Sequence, residues 1–222
     1  ENERERLVGK EQTILAVKWV ADFIEANPLG VCVDEIASLK RQLDLDSENG
    51  EEDWFKINQK LSFVRFRASR GGYYADVKIT IPEDYPDNRV ETELKECNFP
   101  ELFCKFFAAK AKEIARTCVE PSLFRGAKAK KGEKPQPVPD ARNFVPKPSL
   151  EPVGAFLIEQ IKRYPKELCG LCSKPALPTN PKQIQEHGLQ PDYVDRIYCG
   201  HIYHYGCLDK YMKTPPFKGG KK

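Results

Sequence analysis

The chain has no long hydrophobic run. Nowhere do about 20 apolar residues follow one another, so the sequence offers no membrane-spanning helix. It opens Glu1-Asn2-Glu3-Arg4, without the basic-then-apolar pattern of a secretory start. Charge of one sign is not in excess: 36 Lys and Arg face 33 Asp and Glu, and a net +3 is too little to argue for nucleic acid. No internal repeat is found. A dense disulfide framework is missing too, since only eight cysteines occur in 222 residues. These gaps leave an intracellular, cytoplasmic or nuclear chain as the expectation. Its 31% charged and 40% hydrophobic residues suit a globular protein, and the length allows one mid-sized domain and one small one.

The cysteines are unevenly spread. Cys32, Cys97, Cys104 and Cys118 stand singly and read as buried small hydrophobes. Cys169, Cys172, Cys199 and Cys207 lie close together with His201 and His204. Clustered Cys and His in such a chain read as metal ligands.

Changes of hydrophobic period divide the chain. Residues 1–33 hold an N-terminal helix over 10–27, where Ile14, Val17, Ala21 and Ile24 recur at helical spacing. Leu15, Trp19, Val20 and Phe23 broaden that stripe, and Asn27-Pro28 ends it. So wide a stripe must bury against the rest of the chain or a partner. Residues 34–118 come next. Asp34 reads as the N-cap of a helix with Ile36, Leu39 and Leu43 on one face. After a polar turn at 46–52 the period becomes two. A strand is expected over 60–68, through Leu61 and Phe63, then Val64 and Phe66. Gly71-Gly72 is a tight hairpin turn, and a strand follows over 74–81. A short strand is expected at 90–97. A helix over 102–117 places Leu102, Phe106, Ala109 and Ile114 near one face, with Phe103 and Phe107 beside it. Helix, antiparallel meander, helix is an α+β arrangement.

Residues 119–152 differ in composition. The stretch 126–134 is basic, and 134–152 carries six prolines. Such a segment buries little apolar surface, so it reads as an extended, semi-rigid tether. Its basic run could also touch nucleic acid or an acidic partner. Helical spacing resumes at 150–164, through Val153, Phe156 or Leu157, and Ile161. The last division, 153–222, joins this helix to the cysteine cluster.

In that cluster Cys169-Gly170-Leu171-Cys172 is followed, 26 residues later, by Cys199-Gly200-His201-Ile202-Tyr203-His204-Tyr205-Gly206-Cys207. A CxxC turn sets two thiolates about a tetrahedral edge apart, as zinc requires, and His204 with Cys207 supplies a second pair. Together Cys169, Cys172, His204 and Cys207 make a closed four-ligand zinc site, which stabilises a fold and does no hydrolysis. Cys199 and His201 are then half of a second zinc site. The alternative is a single-zinc knuckle with those two outside it. His187 reads as a loop residue more than a ligand.

This order resembles the RING family of the two-histidine kind, with six of eight ligands in sequence. The resemblance pairs ligands one, two, five and six on one zinc and assigns Cys199 and His201 to the other. It places the missing pair in a CxxC expected beyond Lys222. RING ubiquitin ligases have a hydrophobic residue between the first two ligands and an aromatic one soon after the sixth. Leu171 and Tyr211 stand at those positions, which implies a groove for a ubiquitin-conjugating enzyme. The stretch 34–118 resembles an RWD domain, the conjugating-enzyme-like fold without the catalytic cysteine. Tyr85-Pro86, after strand residues 79–82, matches that family's tyrosine-proline signature, and Val90 departs from it where a later proline is usual. No His-Pro-Asn motif accompanies Cys97, Cys104 or Cys118, so none is expected to be a catalytic thiol.

RWD followed by RING implies a ubiquitin ligase without a covalent intermediate, acting by orientation. A substrate or scaffold partner would then be held by the RWD domain and the N-terminal helix. The alternative is a non-catalytic RWD/RING scaffold subunit of a larger assembly. Nucleic acid and membrane partners are not expected.

Overall fold

The structure is a computed structural model. It describes residues 2–43, 45, 52–121, 144–184, 190–197 and 200–214, with residues 2–9 described by backbone alone.

Period-two patterning builds a four-stranded antiparallel meander in the order β1-β2-β3-β4. The strands are β1 (Trp54–Asn58), β2 (Phe63–Arg70), β3 (Tyr73–Thr80) and β4 (Glu91–Cys97). Strands β2 and β3 pair from Phe63↔Thr80 to Arg70↔Tyr73. The two residues between them, Gly71 and Gly72, have φ of 57° and 80°. That left-handed pair is what a two-residue hairpin needs, and only glycine adopts it without strain.

The two sheet faces differ chemically. On the inner face Val64, Phe66, Ala68, Tyr73, Ala75, Val77 and Ile79 are each at most 1% exposed. On the outer face Arg65 grips Asp76 with two bonds of 2.8 and 2.5 Å, and Arg67 pairs with Glu96 at 2.8 Å. The Trp54 ring lies beside both guanidiniums, and Tyr74 lies under that of Arg67.

Helices α2 (Val33–Gln42), α3 (Glu101–Val119) and α4 (Leu150–Arg163) join the inner face in one core. Helix α4 packs on α2, α3, β2 and β3. Its Leu150, Val153, Leu157 and Ile161 are all 0% exposed. Burying each such side chain is worth about 1.5–3 kcal/mol, so α4 belongs energetically to the sheet unit. The sequence division at 153 set this helix with the zinc ligands instead. Close approach to α2 depends on Gly154, where a Cβ would stand 2.6 Å from Leu39 Cδ2.

Tyr85, in the turn after β3, ties these parts together. Its hydroxyl donates to Glu35 at 2.6 Å and accepts the N–H groups of Ser149 at 2.8 Å and Leu150 at 3.1 Å. It thereby satisfies donors at the start of α4 that have no partner within the helix. Glu35 also accepts the N–H of Glu151 at 2.9 Å. Burial, then the bond to Glu35, pushes the Tyr85 hydroxyl well above the ordinary tyrosine range.

Several expectations shift. Strand β1 was not anticipated, and β2 begins at Phe63 rather than residue 60, with Leu61 exposed in the preceding turn. Helix α2 is preceded by Cys32 at the cap position, and Asp34 lies inside its first turn. The buried stripe of α3 is Phe103, Phe107, Ala111 and Ala115, rotated from the expected face, while Ala109 is exposed. The aromatic cluster of Phe99, Phe103, Phe107 and Tyr164 decides that phase.

The N-terminal helix α1 (Asn2–Ala26) is longer than the expected 10–27 at its start. Its Ile14, Leu15, Val17, Trp19, Val20, Phe23 and Ile24 are 47–67% exposed, so the described residues do not cover its stripe. Of the 119–152 tether, 122–143 lie outside the described residues, including the basic run. Beyond it the Lys147 N–H donates to the Cys118 carbonyl at 2.9 Å, and Ser149 is fully buried. No helix among the described residues is long and apolar enough to cross a membrane.

Candidate metal centre

Two local turns present the ligands. In the first, the Cys169 N–H donates to the Lys174 carbonyl at 2.8 Å and the Ser173 N–H to the Cys169 carbonyl at 2.9 Å. This closes the CxxC segment into a knuckle, with Ser173 in the left-handed region at φ 58°. Gly170 sits close under the Tyr203 ring, where a Cβ would stand 3.0 Å from a ring carbon. The second turn follows a short hairpin of β5 (Val194–Arg196) and β6 (Ile202–His204), which leads directly into α5 (Tyr205–Lys213). His204 ends β6, and Cys207 lies in the first turn of α5.

The ligand atoms of Cys169, Cys172, His204 and Cys207 all lie within 4.8 Å of one another. Tetrahedral zinc with Zn–S bonds of about 2.3 Å sets ligand–ligand edges of about 3.8 Å. His204 Nδ1 stands 3.4 Å from Cys172 Sγ and 3.8 Å from Cys207 Sγ, which matches. The opposite ring nitrogen, Nε2, lies 3.0 Å from the Pro175 carbonyl oxygen. A carbonyl only accepts, so the network assigns the proton to Nε2 and leaves the Nδ1 lone pair facing the thiols. An outer hydrogen bond of this kind orients metal-binding histidines.

The electrostatics agree. Burial pushes the Cys169 thiol up, but backbone N–H groups of His204, Cys172 and Leu171 outweigh it and bring the thiol to about 6. Burial, followed by the neighbouring thiols Cys172 and Cys169, pushes Cys207 up to about 11. Sulfurs crowded this closely resist sharing negative charge, and a divalent cation between them relieves that. The four residues fit zinc.

No family model matches this chain, and no curated protein or solved structure matches it.

Other expected site residues fare differently. Leu171 and Tyr211 are each 38% exposed, one beside the ligand Cys172 and the other one helical turn after Cys207. Met212, not singled out from sequence, is exposed next to Tyr211. His201 precedes β6 and is exposed, outside the four-ligand cluster. Cys199, His187 and the 126–134 basic run lie outside the described residues.

Sequence reasoning also missed how firmly this module is docked. Val194, Ile202, Ala176 and Leu177 are buried in the same core as the sheet and its helices. The Arg196 guanidinium lies 3.7 Å over the Phe106 ring of α3. Tyr73 of β3 donates its hydroxyl to the Pro178 carbonyl at 2.7 Å. Only the CxxC spacing hinted at the knuckle, and nothing local marked Pro175, Pro178 or Arg196 as its supports.

Proposed function

We propose that this chain is a RING-type ubiquitin ligase of RWD–RING organisation, working inside the cell in the cytoplasm or nucleus. The observation that carries the reading is the four-ligand cluster with Leu171 and Tyr211 exposed at its edge. A closed zinc site supplies structure and no open coordination position. Leu171 and Tyr211 would bind a ubiquitin-conjugating enzyme and hold its thioester for attack, so that catalysis is orientation. The sheet-and-helix unit with its Tyr85-Pro86 turn would be the RWD domain. That unit and α1 would hold the substrate or partner. The second zinc, on Cys199 and His201, would be completed by a CxxC after Lys222.

One observation favours a second reading, a non-catalytic scaffold subunit: the exposed apolar residues of α1 suit permanent assembly as well as substrate capture. An autoubiquitination assay on the natural full-length protein, with a panel of conjugating enzymes and its zinc content verified, separates the two. Ubiquitin chains that disappear on chelation support the ligase. A zinc-replete protein inactive with every conjugating enzyme supports the scaffold.

A further inference from the structure

We propose that Cys97 and Cys104 are a peroxide-oxidisable dithiol, closing into a disulfide between the end of β4 and the first turn of α3. The zinc cluster does not use these residues, and the proposal is independent of ligase activity.

Both sulfurs are organised around one residue. The Phe99 N–H donates to Cys97 Sγ, and Cys104 Sγ lies 3.6 Å from the Phe99 carbonyl oxygen. The Cys104 thiol donates to that carbonyl, and the two side chains line one cavity, close enough to shift each other's titration. Contact with the Cys104 thiol, then the Phe99 N–H, outweighs burial and holds Cys97 below the ordinary thiol range. The same contact, followed by burial, pushes Cys104 up. A lowered, accessible thiol beside a resolving thiol is the arrangement that reacts with peroxides.

Access exists as well. Both residues are half-buried and line a cavity of about 890 Å³. Lys105 shares its wall, with Pro181, Lys182 and Tyr193 on the side of the zinc-bearing segment. Of the other thiols described, Cys32 is buried and pushed up to about 11 by that burial, and Cys118 is raised for the same reason. Cys169, Cys172 and Cys207 belong to the metal cluster.

The chemistry closes without a further reactant. The Cys97 thiolate attacks one oxygen of hydrogen peroxide; an S–O bond forms, the O–O bond breaks, and hydroxide leaves to take up the proton the thiol had released. Cys97 is then a sulfenic acid. Cys104 attacks its sulfur; the S–S bond forms, the S–O bond breaks, and the departing hydroxide takes the Cys104 proton. The two thiols are oxidised by two electrons and the peroxide is reduced to two waters.

The test uses the zinc-loaded chain, treated with increasing hydrogen peroxide, alkylated, and digested with trypsin. Residues 96–105 form a single tryptic peptide holding both thiols. The expected result is that this peptide loses the mass of two hydrogens and both alkylation sites while zinc is retained. Cys104→Ser should stop at a sulfenic acid on Cys97, trapped by dimedone, and Cys97→Ser should abolish the trapping. The wild-type mapping needs no variant to fold. The proposal is overturned if the peptide keeps both alkylatable thiols at doses that already release zinc. It is equally overturned if Cys97 proceeds to sulfinic acid without a disulfide.

Discussion

The Nε2 of His204 lies 3.0 Å from the Pro175 carbonyl oxygen, and this one contact turns Nδ1 toward Cys172 and Cys207. His204→Ala should therefore remove a ligand from a site whose other members are thiols. Metal analysis is expected to find about one zinc per chain at this cluster in the wild type. His204→Ala or Cys172→Ser should release the first zinc to a mild chelator. The damage should also reach the sheet unit, because Arg196 on Phe106 and Tyr73 on Pro178 join the two. An unfolding midpoint for the sheet unit identical in wild type and Cys172→Ser would reject that coupling.

Leu171 and Tyr211 are each 38% exposed at the edge of the four-ligand cluster. Leu171→Ala and Tyr211→Ala should leave zinc content and melting temperature within error. Each should weaken conjugating-enzyme binding by about tenfold or more, the scale of an interface hot spot. Titration by calorimetry or NMR reads the loss. Unchanged affinity in both variants would rule out this surface.

Gly154→Ala should destabilise the chain although alanine favours helix. The new methyl would meet Leu39 Cδ2 at 2.6 Å and Cδ1 at 2.7 Å, and Leu39 is itself fully buried. The propensity gain is about 1 kcal/mol, whereas overpacking costs about 1–3 kcal/mol. A net loss in urea unfolding is expected, partly recovered in the double variant with Leu39→Val. Stabilisation by Gly154→Ala alone would mean that α2 and α4 are not so close.

Alkaline pH should weaken the fold through Tyr73. Burial pushes its hydroxyl from the ordinary 10 up to about 12. The folded chain thus holds this proton more tightly than the unfolded chain. Its contribution is fully present below pH 10 and is lost as pH rises from 10 through about 12. Stability measured across that window should fall, and Tyr73→Phe should flatten this part of the slope. A slope unchanged in Tyr73→Phe would place the alkaline loss elsewhere.

Much of this was legible along the chain. The knuckle spacing named Cys169, Cys172, His204 and Cys207, and the structure draws those four together. Gly71-Gly72 marked the hairpin because a two-residue turn needs left-handed backbone that other residues resist. The alternation through Val64 and Phe66 marked a strand, and the structure buries both on the inner face. These signals are local: a turn or a period is a property of residues a few positions apart.

What tertiary structure alone decided is which faces meet. The wide apolar surface of α3 allowed several rotations, and Phe99 and Tyr164, packing from outside the helix, selected the stripe of Phe103 and Phe107. The same periodicity in α4 suits any apolar surface, and the fit of Gly154 against Leu39 is a contact across 115 positions, 154 − 39. Tyr85 reads as a turn residue until Glu35 and Ser149 are brought beside it. The proton on His204 depends on a backbone carbonyl 29 positions earlier. Sequence period reports that a side chain will be buried; only the assembled core, which must fill its volume and satisfy its polar groups together, determines against what.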